Sequence, residues 1–246
     1  MSGRAVSERA IIVIGAGDAT GGAVARRFAR EGFIACPVRR TRDHLADLTA
    51  EIEAAGGRCV PFGVDARVEA DVIDLFEQVE RDIAPVEAFV FNIGANARFP
   101  FLDLEERKFR KIWEMACYAG YLTARQAAIR MAPRGRGTII FTGASASVKG
   151  YAQGVAFASA KFALRGMAQA MARELSPQGI HVAHSIIDGA IDTAFIRNNF
   201  PDRYKMKEEG GILNPESIAE AYWMLHKQPR DAWTHEMDLR PWMESF

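Results

Sequence analysis

Apolar positions in this chain follow two alternating rhythms. Short runs of apolar and β-branched residues occupy 10–14, 33–38, 58–64, 86–91, 138–141 and 180–187. Between them lie longer stretches in which apolar residues return every three or four positions. The short runs predict strands, and the longer spacing predicts helices at 21–31, 43–55, 68–83, 105–132, 157–175 and 215–226. Within 68–83, Val72, Ile73, Leu75, Phe76 and Val79 mark one helix face. The run 86–91 is apolar except for Glu87, and 180–187 is broken only by Ser185 and the histidines His181 and His184. Strands of that kind are covered on both faces. Gly56-Gly57, Pro133 and the segment Ser176-Pro177-Gln178-Gly179 stop the helices. Strands alternating with long helices predict right-handed βαβ units and a parallel sheet. No repeat, low-complexity tract or Pro/Ser-rich linker interrupts the pattern, so residues 1–246 are expected to form a single α/β domain.

Composition narrows the partners. With 49% hydrophobic residues the chain can bury a large core. Lys+Arg and Asp+Glu are both 31, and zero net charge argues against nucleic acid or a membrane surface as the main partner. Cys36, Cys59 and Cys117 are widely spaced and show no metal-ligand spacing, which predicts buried free thiols in a reducing compartment and no metal site. His181 and His184, offset along one strand, are expected on different faces and read as structural. The polar start, with Arg4, Glu8 and Arg9, lacks the apolar core of a signal peptide, and no run of about 18 apolar residues occurs. A cytoplasmic protein acting on a small molecule is the expectation.

The candidate chemistry sits where strands end. After the first strand comes Gly15-Ala16-Gly17-Asp18-Ala19-Thr20-Gly21-Gly22, then a helix. Glycines let a backbone approach a phosphate, and the helix start offers N–H groups to it. Arg39 and Arg40 close the second strand, Asp65-Ala66 follows the third, and Asn92-Ile93-Gly94-Ala95 follows the fourth. Asp188-Gly189-Ala190-Ile191-Asp192-Thr193 follows the sixth. Phe157 and Lys161, four apart, share one face of a helix.

In this order, from Ile11 to Thr193, these pieces resemble the short-chain dehydrogenase/reductase family. The glycine turn resembles that family's T-G-x-x-x-G-x-G, with Ile14 for the Thr and Ala19 for the middle glycine. The resemblance implies a Rossmann-type doubly wound parallel sheet flanked by helices, binding a nicotinamide dinucleotide. It implies that Gly15, Gly17, Asp18, Thr20 and Gly21 hold the pyrophosphate. Asp65 and Ala66 would meet the adenine, Asn92 and Gly94 the adenosine ribose, and Lys161 the nicotinamide ribose. Gly189, Ile191 and Thr193 would hold the nicotinamide carboxamide. NAD-preferring members carry an Asp where this chain has Arg39 followed by Arg40, and a guanidinium suits a 2′-phosphate. NADP(H) is therefore expected ahead of NAD, although some NADP-binding members have a basic residue at the position of Asp18.

The family's catalytic Asn, Ser, Tyr and Lys are matched only at Lys161. Phe157 stands for the Tyr, Ala144 for the Ser, and Ala116 or Cys117 for the Asn. A positioned proton donor is worth roughly 10²–10⁴ in rate. Reduction of a simple ketone, which leaves an alkoxide, suffers most from its loss, whereas an enone gives an enolate that water can protonate later. Ser145 and Tyr151 are candidate catalytic substitutes beside Lys161, and each also reads as an ordinary loop residue. Two functions stay open: an NADP(H)-dependent oxidoreductase with an altered proton pathway, or an NADP(H)-binding sensor or scaffold without chemistry.

Residues 194–213 occupy the place of a substrate lid, with Gly210-Gly211 as a hinge. Its cations Arg197, Arg203, Lys205 and Lys207 read either as a hint of an anionic substrate or as a solvated face. The tail 231–246, with Trp233, Leu239, Trp242, Met243 and Phe246, either packs against another subunit or docks on its own domain. The first alternative underlies the expectation of a homo-oligomer, a dimer or tetramer.

Overall fold

The computed structural model describes residues 8–245; Arg4 of the polar start and Phe246 of the tail lie outside the described residues. Eight strands form one sheet: β1 (Ala10–Ile14), β2 (Ile34–Arg39), β3 (Arg58–Cys59), β4 (Phe62–Gly63), β5 (Val86–Phe91), β6 (Gly137–Thr142), β7 (Ile180–Ile187) and β8 (Glu236–Leu239). Their order is β3-β2-β1-β5-β6-β7-β8, with β4 continuing along β2. Every pairing is parallel. The helices are α1 (Thr20–Arg30), α2 (Ala46–Ala54), α3 (Glu69–Asp82), α4 (Glu106–Trp113), α5 (Ala119–Met131), α6 (Val155–Leu175), α7 (Ala194–Asn199), α8 (Pro201–Lys205) and α9 (Pro215–Lys227). The chain winds outward from β1 to β3 and returns to β5, so the strand order reverses between β1 and β5. Crevices that bind ligands open at the carboxyl ends of strands at such a reversal.

Strand alternation builds the two layers. Ile12 and Ile14 of β1 join Val72, Phe76 and Leu164 in a core under α3, α5 and α6. Ile11 and Val13 face the other way and join Val24, Phe28 and Trp223 under α1 and α9. Both layers share one sheet, and the expected single-domain, Rossmann-type α/β architecture is what forms. Tyr222 of α9 is fully buried, and its hydroxyl lies 2.9 Å from Thr142 Oγ1 at the end of β6. A Tyr222→Phe variant is expected to lose about 1–3 kcal/mol in urea unfolding, because it strands a buried polar partner.

Two elements differ from the sequence expectation, and the structure chooses between two readings of a third. The single strand at 58–64 is two short pieces, since Pro37 of β2, beside the break, lacks the N–H that the ladder needs there. The continuous helix at 105–132 is interrupted by a π turn, Glu114–Tyr118. The tail docks on its own domain, as β8 beside β7 with Leu239 opposite Ile187. Trp233 stacks on the His181 ring at 4.9 Å. Trp242 stays 78% exposed, although its Nε1 donates to the Glu209 carbonyl at 2.9 Å. Among the described residues no helix is long and apolar enough to cross a membrane.

Candidate active site

A groove runs along the carboxyl rim of the sheet. Its larger part, about 610 Å³, reaches from the glycine turn to Lys161 and Tyr151. A smaller part, about 170 Å³, lies between the ends of β1, β2 and β4. Gly15 and Ile93 line both, so the two adjoin.

The glycines of the turn have distinct reasons. Gly15 has φ +83°, and a Cβ there would sit 2.8 Å from the Asn92 carbonyl oxygen. A Cβ on Gly21 would lie 2.4 Å from the Gly15 carbonyl oxygen, so only glycine lets α1 start this close to the turn. Gly17 borders the groove and has open space where its Cβ would be. Asn92 donates from Nδ2 to the Gly15 carbonyl at 3.1 Å and braces the turn. The start of α1 has no side-chain cap, and the Thr20 hydroxyl beside it is buried without a partner among the described residues. Uncapped N–H groups, an orphaned hydroxyl and an open glycine face fit a pyrophosphate.

Arg39, Arg40, Asp65 and Ala66 line the smaller part of the groove. Arg39 Nη1 is 3.5 Å from Asp18 Oδ1 and donates to the His44 carbonyl at 3.4 Å. Arg67 grips the Asp65 carboxylate through Nε at 2.9 Å, Nη2 at 2.5 Å and its backbone N–H at 3.1 Å. The Arg67 side chain holds the Asp65 carboxyl below the usual carboxylate range, so it is ionised at neutral pH.

At the other end Lys161 is only 2% exposed. Its Nζ donates to the carbonyls of Ile93 at 3.0 Å and Thr142 at 2.8 Å, just after β5 and at the end of β6. Burial pushes the amine down to about 8. The Phe157 ring lies 5.8 Å from Nζ, within an apolar cluster of Ile112, Ala146, Ala156 and Ala158. Ser145 and Tyr151 line the groove beside it, whereas Ser147 is fully buried and accepts from the Ala144 N–H. Tyr151 donates to Asn96 Oδ1 at 3.2 Å, and its ring folds over Gly154, where a Cβ would lie 2.4 Å away. Burial raises the Tyr151 pKa. Ala116 and Cys117 fall in the π turn, packed against Ala160 of α6. π turns gather at functional positions, but neither residue there offers an amide.

Most of the predicted residues therefore meet in one groove: Gly15, Gly17, Asp18, Thr20, Gly21, Asn92, Gly94, Ser145, Tyr151, Lys161, Gly189 and Ile191 in the larger part, and the Arg39–Ala66 set in the smaller. Thr193 is not among the lining residues; its Oγ1 accepts from the Ile196 N–H at 3.1 Å and caps α7. The lid cations are matched within the protein. Lys207 pairs with Asp192 at 2.7 Å, Lys205 with Asp202 at 2.7 Å, and Arg203 with Glu244, while Arg197 lies over the Tyr204 ring. Three of the four are thus paired with acids of the protein, and the fourth rests on a ring. Sequence reasoning missed Arg67, Asn96, Arg98 and Lys149, all of which line the groove. Only Arg67 carried a usable signal, two residues from a candidate carboxylate.

The short chain dehydrogenase family model matches residues 9–204. A solved short-chain dehydrogenase from Rhodopseudomonas palustris is 46% identical, with a TM-score of 0.82, over 95% of this chain and 99% of that one. A metagenomic short-chain oxidoreductase solved in complex with NADP shares the fold at 23% identity and a TM-score of 0.80, over 96% and 98% of the two chains. A short-chain dehydrogenase/reductase of Armillaria gallica is 29% identical over 186 residues, covering 74% of this chain and 71% of its own length. The family match runs through every segment that builds the groove, and the chain belongs to the short-chain dehydrogenase/reductase family of oxidoreductases.

Proposed function

We propose that the protein is an NADP(H)-dependent oxidoreductase acting on a small carbonyl, enone or alcohol through an altered proton pathway. The observation that carries this reading is the run of two adjoining clefts from Arg39 and Arg40, past the uncapped start of α1, to the buried Lys161 amine. When bound there, the dinucleotide supplies or accepts the hydride. Arg39 and Arg40 take the 2′-phosphate, while the glycine turn and Thr20 hold the pyrophosphate. Lys161 spends two of its three donors on carbonyls and keeps one for a ribose hydroxyl. Phe157 shields the reacting centre from water but supplies no proton, so Tyr151 or Ser145 takes that part. Residues 194–213 serve as the substrate lid. Trp113, Tyr121 and Phe162, all exposed on α4, α5 and α6, support a homo-oligomer, which sedimentation would test.

Calorimetry tests the cofactor. NADPH is expected to bind about 10–100-fold more tightly than NADH, the worth of charge-assisted contacts to one phosphate. An Arg39→Ser/Arg40→Ser variant is expected to erase that preference. Silence with both cofactors on folded protein would sink the reading. Turnover of ketones, enones and alcohols then tests the chemistry. Tight NADPH binding without any turnover would favour the sensor or scaffold reading, which the missing hydroxyls at Phe157 and Ala144 support.

A further inference from the structure

The charges that face the groove are unevenly divided. Its larger part is lined by the cations Arg98, Lys149 and Lys161 and by one carboxylate, Asp18. Asp18 lies at the glycine-turn end and is already beside Arg39. Around Phe157 and Tyr151 the lining holds positive charge alone. Lys161 is buried beneath and tied to two carbonyls, so the cations that reach solvent there are Arg98 and Lys149, both exposed.

Neither has a carboxylate partner among the described residues. Arg98 stacks over the Tyr151 ring at 5.3 Å, and Lys149 makes only a backbone hydrogen bond, from its N–H to the Ser145 carbonyl at 3.0 Å. This sets them apart from the lid cations Arg203, Lys205 and Lys207, which are paired with acids; Arg197, like Arg98, lies over a ring. The ring contact orients the Arg98 fork while leaving its N–H donors unspent. Arg98 and Lys149 come from the two loops that flank Phe157, and the Phe99 N–H to Gln153 carbonyl bond at 3.0 Å ties those loops together. In the same lining Ala144, Ala146 and Phe157 form an apolar wall beside Ser145 and Asn96. Such a surface takes a short carbon body with one anionic end.

We propose that the substrate carries a carboxylate, which Arg98 and Lys149 hold at the mouth of the groove while its carbonyl or enone carbon lies over Phe157. This deepens the reading under Proposed function and rests on it. The carboxylate contact is remote from the reacting bond and equally made before and during reaction, so it should act on KM and leave kcat nearly unchanged.

The test uses 4-oxopentanoate and trans-4-oxo-2-pentenoate, each beside its methyl ester. Each is titrated by ligand-observed NMR into the whole protein, with and without NADPH, and then assayed for NADPH oxidation. The acids are expected to bind about 10–100-fold more tightly than the esters, and the advantage should shrink as salt is added. An Arg98→Met/Lys149→Met variant is expected to raise KM for the acids by a similar factor while the KM of the esters moves little, so that the acid–ester difference closes. Equal affinity for acid and ester, binding of neither, or a preference that survives the double substitution overturns the proposal. A silent NADPH titration instead overturns the cofactor reading, and the titrations of the free protein still decide between acid and ester.

Discussion

A Phe157→Tyr variant is expected to reduce simple ketones about 10²–10⁴-fold faster than the wild-type protein, the usual worth of a positioned proton donor. The substitution adds one oxygen to a ring that already lines the groove, one helical turn from the Lys161 amine. A protonated amine that close favours the phenolate and lowers the hydroxyl's pKa toward the working pH. Adding Ala144→Ser supplies a second hydroxyl at the end of the same wall and should raise the gain further. Enones set the contrast: an enolate can wait for water, so their rate should rise far less. The experiment is steady-state NADPH oxidation with matched ketone and enone substrates. An unchanged ketone rate with intact NADPH binding would show that Phe157 does not stand where the proton is needed.

The second large effect is on stability against pH, and it belongs to Lys161. Burial takes its amine from 10.5 to about 8 in the folded protein. Below about pH 8 both folded and unfolded chains carry the proton, and the folded state bears the full cost of the buried charge. Between about 8 and 10.5 the folded state has released the proton while the unfolded state still holds it, so stability rises with pH. The rise is on the order of 3 kcal/mol across that window. Lys161→Met removes the rise. At neutral pH the variant escapes the buried charge but leaves the Ile93 and Thr142 carbonyls without a donor, at about 1–3 kcal/mol each. Those terms oppose one another, so its neutral-pH stability should move little. Cys36, Cys59 and Cys117 act in the other direction, because burial raises their thiols above 9.0 and the unfolded chain ionises first. The difference between wild type and variant in urea unfolding from neutral to alkaline pH is therefore the readout. Parallel slopes for the two proteins would mean that the amine is not buried as a charge.

Local pattern determined much of this protein. Alternation in Ile11–Ile14, helical spacing through Val72–Val79 and the glycine turn are set by backbone geometry within a few residues, and they placed the sheet, its layers and the glycine-turn end of the groove. The four-residue step from Phe157 to Lys161 likewise foretold one shared helix face and a missing hydroxyl. Partners distant in the chain decided the rest. Glu236–Leu239 became a strand because β7 offered an open edge, and the gap at Pro37 of the neighbouring strand split a run that reads as one. Thr193 turned its oxygen to the Ile196 N–H, and three of the four lid cations, Lys207, Lys205 and Arg203, found acids at Asp192, Asp202 and Glu244. Arg98 and Lys149 found none. A charge in a sequence has no visible counter-charge; only folding brings distant side chains within hydrogen-bond reach, and so decides which cations are spent on the protein and which face the groove.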